Sequence, residues 1–346
     1  MSNMTPYISI IVPCFNEKKH IRAFVDNLLS LEKPAGGFEV IIADGMSNDG
    51  TRDYLENIGN PDIRVIDNPG RYVSHGLNEA ILAARGKLII RMDVHSVYAG
   101  DYIVKCVETL ERTKAENVGG PWLLDGKAYF SKAIAAAFLS PLATGGQNSH
   151  DPDYEGRVDT VHLGCWRKKV LIEHGMFDEN FIRNQDDELN LRITKSGGVV
   201  WQNPEIRHWS STREGIRKLF LQYYQYGYWK WEVMKKHRII PSIRHIIPGL
   251  FVTGLIIAVI IQLMNIFIGS KILAAADMAF FVIFLFYLVL IISSSAVLAL
   301  KNGLKYFPVF PVIFLCFHFG YGMGFISAVA ADIFKKRPAS ASSESR

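Results

Sequence analysis

The chain of 346 residues holds only four cysteines, Cys14, Cys106, Cys165 and Cys316. They lie far apart and form no Cys-x-x-Cys pair. That argues against a zinc site or a disulfide framework and agrees with a reducing compartment. No G-x-G-x-x-G follows the first apolar run, and no G-x-x-x-x-G-K-[ST] occurs. Neither a dinucleotide-dependent dehydrogenase nor a P-loop nucleotidase is therefore expected. Internal repeats are lacking, and no basic region followed by an apolar stretch opens the chain, so no signal peptide is expected. Charge is missing altogether from residues 246–270, 278–300 and 306–331. Each run is longer than the roughly 20 residues needed to cross a hydrocarbon core, and none shows the polar face of a core helix.

The charge that is present is unevenly spread. Residues 1–206 carry 22 Lys and Arg against 28 Asp and Glu. Residues 207–245 carry nine against two, and residues 246–346 seven against three. The net +5 therefore hides an acidic body, a basic collar and an apolar tail, which does not suit a nucleic-acid-binding protein. The division predicts a body over 1–206, interfacial helices over 207–245, about three membrane segments over 246–334 and a disordered, Ser-rich tail over 335–346. Lys230, Lys235, Lys236, Arg238 and Arg244 precede the first span and predict a cytoplasmic body. Three crossings would leave Lys335, Lys336 and Arg337 outside, against the same rule, so the side of the tail stays open. Pro308, Pro311, Gly320, Gly322 and Gly324 make the last segment the one expected to be broken or re-entrant. In the collar, Tyr223, Tyr224, Tyr226, Tyr228, Trp229 and Trp231 among basic residues suit a membrane–water interface.

Within the body, residues 8–12, 38–43, 63–66 and 87–92 read as strands, and 20–31, 50–58 and 76–84 as helices. Strands alternating with helices predict an α/β fold with a mainly parallel sheet, in which ligands bind beyond the carboxyl ends of strands. Polar clusters stand at those ends: Pro13 to Glu17, Asp44 to Thr51, and Asp93-Val94-His95. A later cluster, Asn184-Gln185-Asp186-Asp187-Glu188, opens a further helix. Asp49-Gly50-Thr51 is expected only to cap the helix after it.

Taken together with Asn78 and Gly86, these segments resemble family 2 glycosyltransferases over about residues 7–235. That family comprises inverting enzymes of the GT-A fold that use nucleotide-sugar donors. The likeness is greatest to membrane-attached bacterial enzymes of exopolysaccharide assembly, such as succinoglycan glucosyltransferases. It implies a GT-A, Rossmann-like domain followed by transmembrane helices in the inner (plasma) membrane. Pro13, Asn16, Glu17, Asp44, Ser47, Asn78 and Asp93 would bind the donor, with Asp44 accepting from the base. Asp93-Val94-His95 stands where the family has Asp-x-Asp, the motif that holds a divalent cation, Mn²⁺ or Mg²⁺. Either Asp93 and His95 both ligate, or Asp93 ligates and His95 meets phosphate. His208 is a further metal candidate. Asp186 is the expected base, with Asp187 its rival by a shift of one residue. His162, Gly164, Trp166 and Gln222 are expected near the acceptor, and residues 145–148 as a flexible loop. The Gln-x-x-Arg-Trp of processive synthases is replaced by Gln222-Tyr223-Tyr224-Gln225-Tyr226. The expected activity is transfer of one sugar, glucose from UDP, to a membrane lipid-linked saccharide. A polyprenyl-phosphate sugar synthase and a processive synthase are the alternatives. A non-catalytic scaffold comes behind both, and a transporter fails for lack of intramembrane charge.

Overall fold

The computed structural model describes residues 7–335. Lys336, Arg337 and the Ser-rich end lie outside the described residues. The chain divides into two compact units, residues 1–124 with 148–211, and residues 125–147 with 212–346. Residues 125–147, assigned by charge to the N-terminal body, thus group with the C-terminal helices.

The strands in chain order are β1 (Ile8–Cys14), β2 (Phe38–Asp44), β3 (Ile63–Asp67), β4 (Leu88–Arg91), β5 (Ser96–Tyr98), β6 (Asn117–Gly120), β7 (Leu123–Asp125), β8 (Gly156–Arg157), β9 (His162–Arg167), β10 (Val200–Gln202) and β11 (His208–Ser211). The helices of the first unit are α1 (Ile21–Ser30), α2 (Thr51–Glu56), α3 (Val73–Ala83), α4 (Tyr102–Thr113), α7 (Lys168–Glu173) and α8 (Gln185–Lys195). Those of the second are α5 (Tyr129–Phe138), α6 (Pro141–Thr144), α9 (Ile216–His237), α10 (Ile247–Ile268), α11 (Lys271–Asn302) and α12 (Val309–Phe334).

In the first unit, β-branched runs make β1 and β2 buried along their whole length. The main sheet has the order β3-β2-β1-β4-β9-β6-β10-β8. Its β3-β2-β1-β4 half is parallel throughout, and β9 enters antiparallel between β4 and β6. Successive side chains of a strand point to opposite faces. Ile8, Ile10 and Val12 of β1 accordingly join α1 and α4 in one core, while Ile11 joins α3, α7 and α8 in the other. Because β1, β2 and β4 run the same way, their carboxyl ends share one edge, with Cys14 level with Asp44 and Ile11 with Arg91.

In the second unit, α10, α11 and α12 are each long and apolar enough to cross a membrane. The last of them is one continuous helix, against the expectation of a break. Pro308 is its N-cap residue and Pro311 falls in its first turn, where no intrahelical N–H is needed. Its glycines serve packing instead. A Cβ on Gly324 would lie 1.9 Å from the Tyr224 carbonyl oxygen of α9, and one on Gly320 2.9 Å from that of Phe220. The collar aromatics share this contact. Tyr223 stacks on Phe317 at 4.2 Å, and Trp231 Nε1 donates to Asp332 at 2.9 Å.

Candidate active site

The loops after β1 and β2 are laced together by backbone-to-side-chain hydrogen bonds. Asn16 N donates to Ser47 Oγ at 2.8 Å, and Asn48 N to Asn16 Oδ1 at 2.9 Å. Glu17 N donates to Thr51 Oγ1 at 2.8 Å, and Lys18 N to Asp49 Oδ2 at 3.1 Å. Asn16 takes a left-handed φ of 54°, which Asn tolerates better than most residues. Asp49, one residue before the Gly50 N-cap of α2, also accepts from Thr51 N and Oγ1. Desolvation pushes its carboxyl up, but the Thr51 and Lys18 donors together outweigh that and hold it below its usual range. Pro13 is buried in β1. Asp44, fully buried at the end of β2, accepts from Ser47 Oγ at 2.5 Å and Ser47 N at 3.1 Å. Arg52 Nη1 stands 3.5 Å from it.

At the end of β4 lies a residue that the motifs did not single out. Arg91 has a side chain only 5% exposed and donates through Nη1 to Asp186 Oδ1. Its Nη2 is 3.6 Å from Asp93 Oδ2. Burial works against its charge, but Asp186 and Asp93 outweigh burial and hold it more firmly protonated. The signal was present as a cation inside an otherwise apolar strand, a placement that is costly unless a carboxylate meets it.

Asp186 and Asp187 open α8, whose N-cap residue Asn184 has a φ of 57°. Fully buried Glu188 pairs with Arg192 at 2.7 Å, and Arg192 also donates to the His174 and Met176 carbonyls. These bonds fix the helix start. Burial raises the Asp186 carboxyl to about 6; Arg91 opposes the rise, and Asp93 and Asp187 add to it. Asn78 spends its amide on the segment before α8, donating to the Phe177 carbonyl at 2.8 Å and accepting from Phe177 N at 3.0 Å.

The remaining expected residues are distributed unevenly. His95 Nε2 lies 3.2 Å from Glu17 Oε2. His208 is fully buried, and its Nε2 contacts His162 Nδ1 at 2.8 Å. His162 stacks between Trp122 at 4.5 Å and His208 at 5.1 Å. Among the described residues, the group of potential metal ligands is Glu17, His20 and His95, which does not include His208 or Asp93. Trp166 is 1% exposed and fills the core against Phe177, and its ring occupies the space that a Cβ on Gly164 would need. Both therefore pack rather than line an open pocket. Gln222, on α9 of the second unit, donates to the Tyr226 hydroxyl at 2.8 Å. Gly145 and Gly146 take left-handed φ values of 65° and 69°, Gly145 as the C-cap of α6.

Carboxylates on three parallel strand ends, and a fourth cluster at a helix start braced by a buried arginine, suit transfer chemistry on a phosphorylated donor. Comparison with known proteins agrees. The profile of glycosyl transferase family 2 matches residues 9–170. The succinoglycan biosynthesis protein ExoA of Rhizobium meliloti is 33% identical over 243 residues, 69% of this chain and 73% of that protein. A dolichyl N-acetyl-α-D-glucosaminyl phosphate 3-β-D-2,3-diacetamido-2,3-dideoxy-β-D-glucuronosyltransferase of Methanococcus voltae is 30% identical over 240 residues, 66% and 74% of the two chains. Among solved structures, the mannosyltransferase PcManGT of Pyrobaculum calidifontis, in complex with GDP-Man and Mn²⁺, aligns with a TM-score of 0.58 at 16% identity. The alignment covers 96% of this chain and 88% of that one, and it supports the GT-A fold. The chain belongs to glycosyl transferase family 2 and is a glycosyltransferase.

Proposed function

We propose that the protein is an inverting transferase that moves one sugar, glucose, from a UDP-linked donor to a membrane lipid-linked saccharide. The observation that carries this reading is the Arg91 bridge between Asp186 and Asp93 at the carboxyl edge of the sheet. It brings a carboxylate whose pKa burial raises to about 6 and the end of β4 to one place. The lipid-linked acceptor is favoured by the three apolar helices and by relatives whose names refer to succinoglycan biosynthesis and to a dolichyl-linked sugar phosphate.

In the proposed reaction, Asp44 and Ser47 border the base of the donor. Asp186 Oδ2 takes the proton of the acceptor hydroxyl as that oxygen attacks the anomeric carbon. The bond from that carbon to the diphosphate oxygen breaks, the anomeric centre inverts, and the proton remains on Asp186. A divalent cation, when bound, neutralises the charge developing on the leaving diphosphate. Glu17 and His95, with a carboxylate oxygen and an imidazole nitrogen close together at this edge, fit such an ion, whereas Asp93 faces Arg91 at 3.6 Å. His208 lies outside this group of potential ligands, with its Nε2 against His162.

In this reading the active unit faces the cytoplasm at the inner membrane, a side favoured by the basic residues ahead of α10. Labelled UDP-glucose and GDP-mannose, each offered with lipid extract, test the donor. One added sugar on a lipid-diphosphate saccharide supports the proposal; transfer to bare polyprenyl phosphate or a long polymer replaces it. Asp186→Asn is expected to lower kcat about a hundredfold to ten-thousandfold with donor binding intact. Unchanged turnover in that variant, with loss in Asp187→Asn, moves the base by one residue.

A further inference from the structure

We propose that Glu17, His20 and His95 form a divalent-cation site, and that its nitrogen-rich ligand set selects Mn²⁺ and its softer neighbours over Mg²⁺. The inference rests on the transferase reading and deepens it: His95 is kept, and Glu17 and His20 replace Asp93 and His208 as its partners.

The three side chains are brought together by two turns. After β1, the Glu17 carbonyl accepts from His20 N and Ile21 N, both at 2.8 Å. This tight turn leads into α1 and carries His20 back toward Glu17. After β4, Ser96 N donates to the Asp93 carbonyl at 3.1 Å, while Ser211 N donates to the His95 carbonyl at 3.3 Å. That second turn presents His95 to the first. One ligand atom from each residue lies within 4.8 Å of the others, and the His20 and His95 ring centroids are 4.8 Å apart.

The spacing suits coordination. Ligand atoms bound at about 2.1 Å stand about 3 to 3.5 Å from one another in tetrahedral or cis-octahedral sites. Glu17 Oε2 and His95 Nε2, at 3.2 Å, already have that separation. His20 is exposed, and its ligand atom lies within 4.8 Å of the other two. Glu17 is 8% exposed and forms the floor, whereas His95 is 43% exposed and leaves the outer side open to a phosphate or water. A plain ion pair between Glu17 and His95 would need no third imidazole.

The chemistry then follows from ligand type. Two imidazoles and one carboxylate bind Mn²⁺, Co²⁺ and Zn²⁺, while Mg²⁺ prefers oxygen ligands in a near-ideal octahedron. Asp93 is left to Arg91, at 3.6 Å, as part of the bridge that holds Asp186.

The test uses the full-length protein in detergent with Mn²⁺ alone and no sugar donor. Equilibrium binding followed by electron spin resonance is expected to show one Mn²⁺ per chain, with nitrogen couplings from imidazole. His20→Ala and His95→Ala are each expected to weaken binding about tenfold or more and to remove one of the two nitrogen couplings. Glu17→Gln, isosteric at the buried floor, is expected to weaken binding by a similar factor with both nitrogen couplings kept, while Asp93→Asn changes affinity less than about threefold. Absence of nitrogen coupling, or equal affinity in wild type and His20→Ala, overturns the site. Binding lost in Asp93→Asn but kept in His20→Ala also overturns it and restores the family pattern. The transferase reading fails separately: a chain that binds Mn²⁺ through imidazole and yet turns over no nucleotide sugar leaves the site standing and removes the reaction.

Discussion

Arg91 sits in β4 among Leu88, Ile89 and Ile90, and its charge is tolerable there only because Asp186 and Asp93 receive it. Arg91→Met leaves the Asp186 carboxylate partly buried without its counter-charge. The acid limb of the rate is then expected to move to higher pH, with kcat falling more than KM rises. Arg91→Lys, a point charge on a flexible stem, restores part of the rate and part of the limb. In the wild type, kcat/KM is expected to rise with pH through about 6 and then level off, because the proposed base must be ionised and burial holds its carboxyl up. A rate flat from pH 5 to 8, with chemistry limiting, would remove Asp186 from that role. Much of this constellation was legible in the sequence, since strand ends and a carboxylate-rich helix start are local patterns. Arg91 was not, because its partner Asp186 is 95 residues away and periodicity alone reads the run 87–92 as a buried strand. Gly164 and Trp166 misled for the opposite reason. They form a notable local motif, but the tertiary fold turns both into the core.

At the scale of elements, the βα alternation gave away α1, α2 and α3 and the four parallel strands, because buried strands and amphipathic helices have different periods. The packing of α9 on α12 was hidden. Aromatic and basic residues on α9 read as an interfacial helix, but Tyr228, Trp229 and Val233 are buried, and the glycines of α12 admit the α9 backbone. A Cβ on Gly227 would come within 2.0 Å of the Tyr321 carbonyl oxygen, and one on Gly324 within 1.9 Å of that of Tyr224. Close approach through small residues is a common means of packing membrane helices. Gly324→Ala is therefore expected to destabilise the second unit by about 1 to 3 kcal/mol, the usual range for overpacking. Gly254→Ala in α10 is the control, since its added carbon would stand 3.4 Å from Phe280, an ordinary contact. Thermal unfolding in one detergent checks the pair, and equal midpoints for the two variants would contradict the packing.

For the whole molecule, the net charge of +5 says little, because two units of opposite character share it. The first unit carries its own pH dependence in the His162–His208 pair. Burial depresses His208 to about 4, with Asp93 opposing, and burial, His208 and Arg91 hold His162 well below its ordinary range. Both rings are therefore neutral when folded, whereas in the unfolded chain each takes a proton near 6.5. Stability from the pair is fully present above that value. It is lost as pH falls from about 6.5 toward 4, because the unfolded state binds protons that the folded state refuses. The thermal midpoint of the first unit is expected to fall steadily over that window at constant ionic strength. His208→Phe keeps a ring against Tyr98, Tyr102 and His162 and removes one of the two titrations, so its midpoint should fall less steeply. Hydrogen exchange of the β9 and β11 amides assigns the effect to this unit. An identical slope in wild type and variant would mean that the carboxylates of the acidic body, not the histidines, set acid stability.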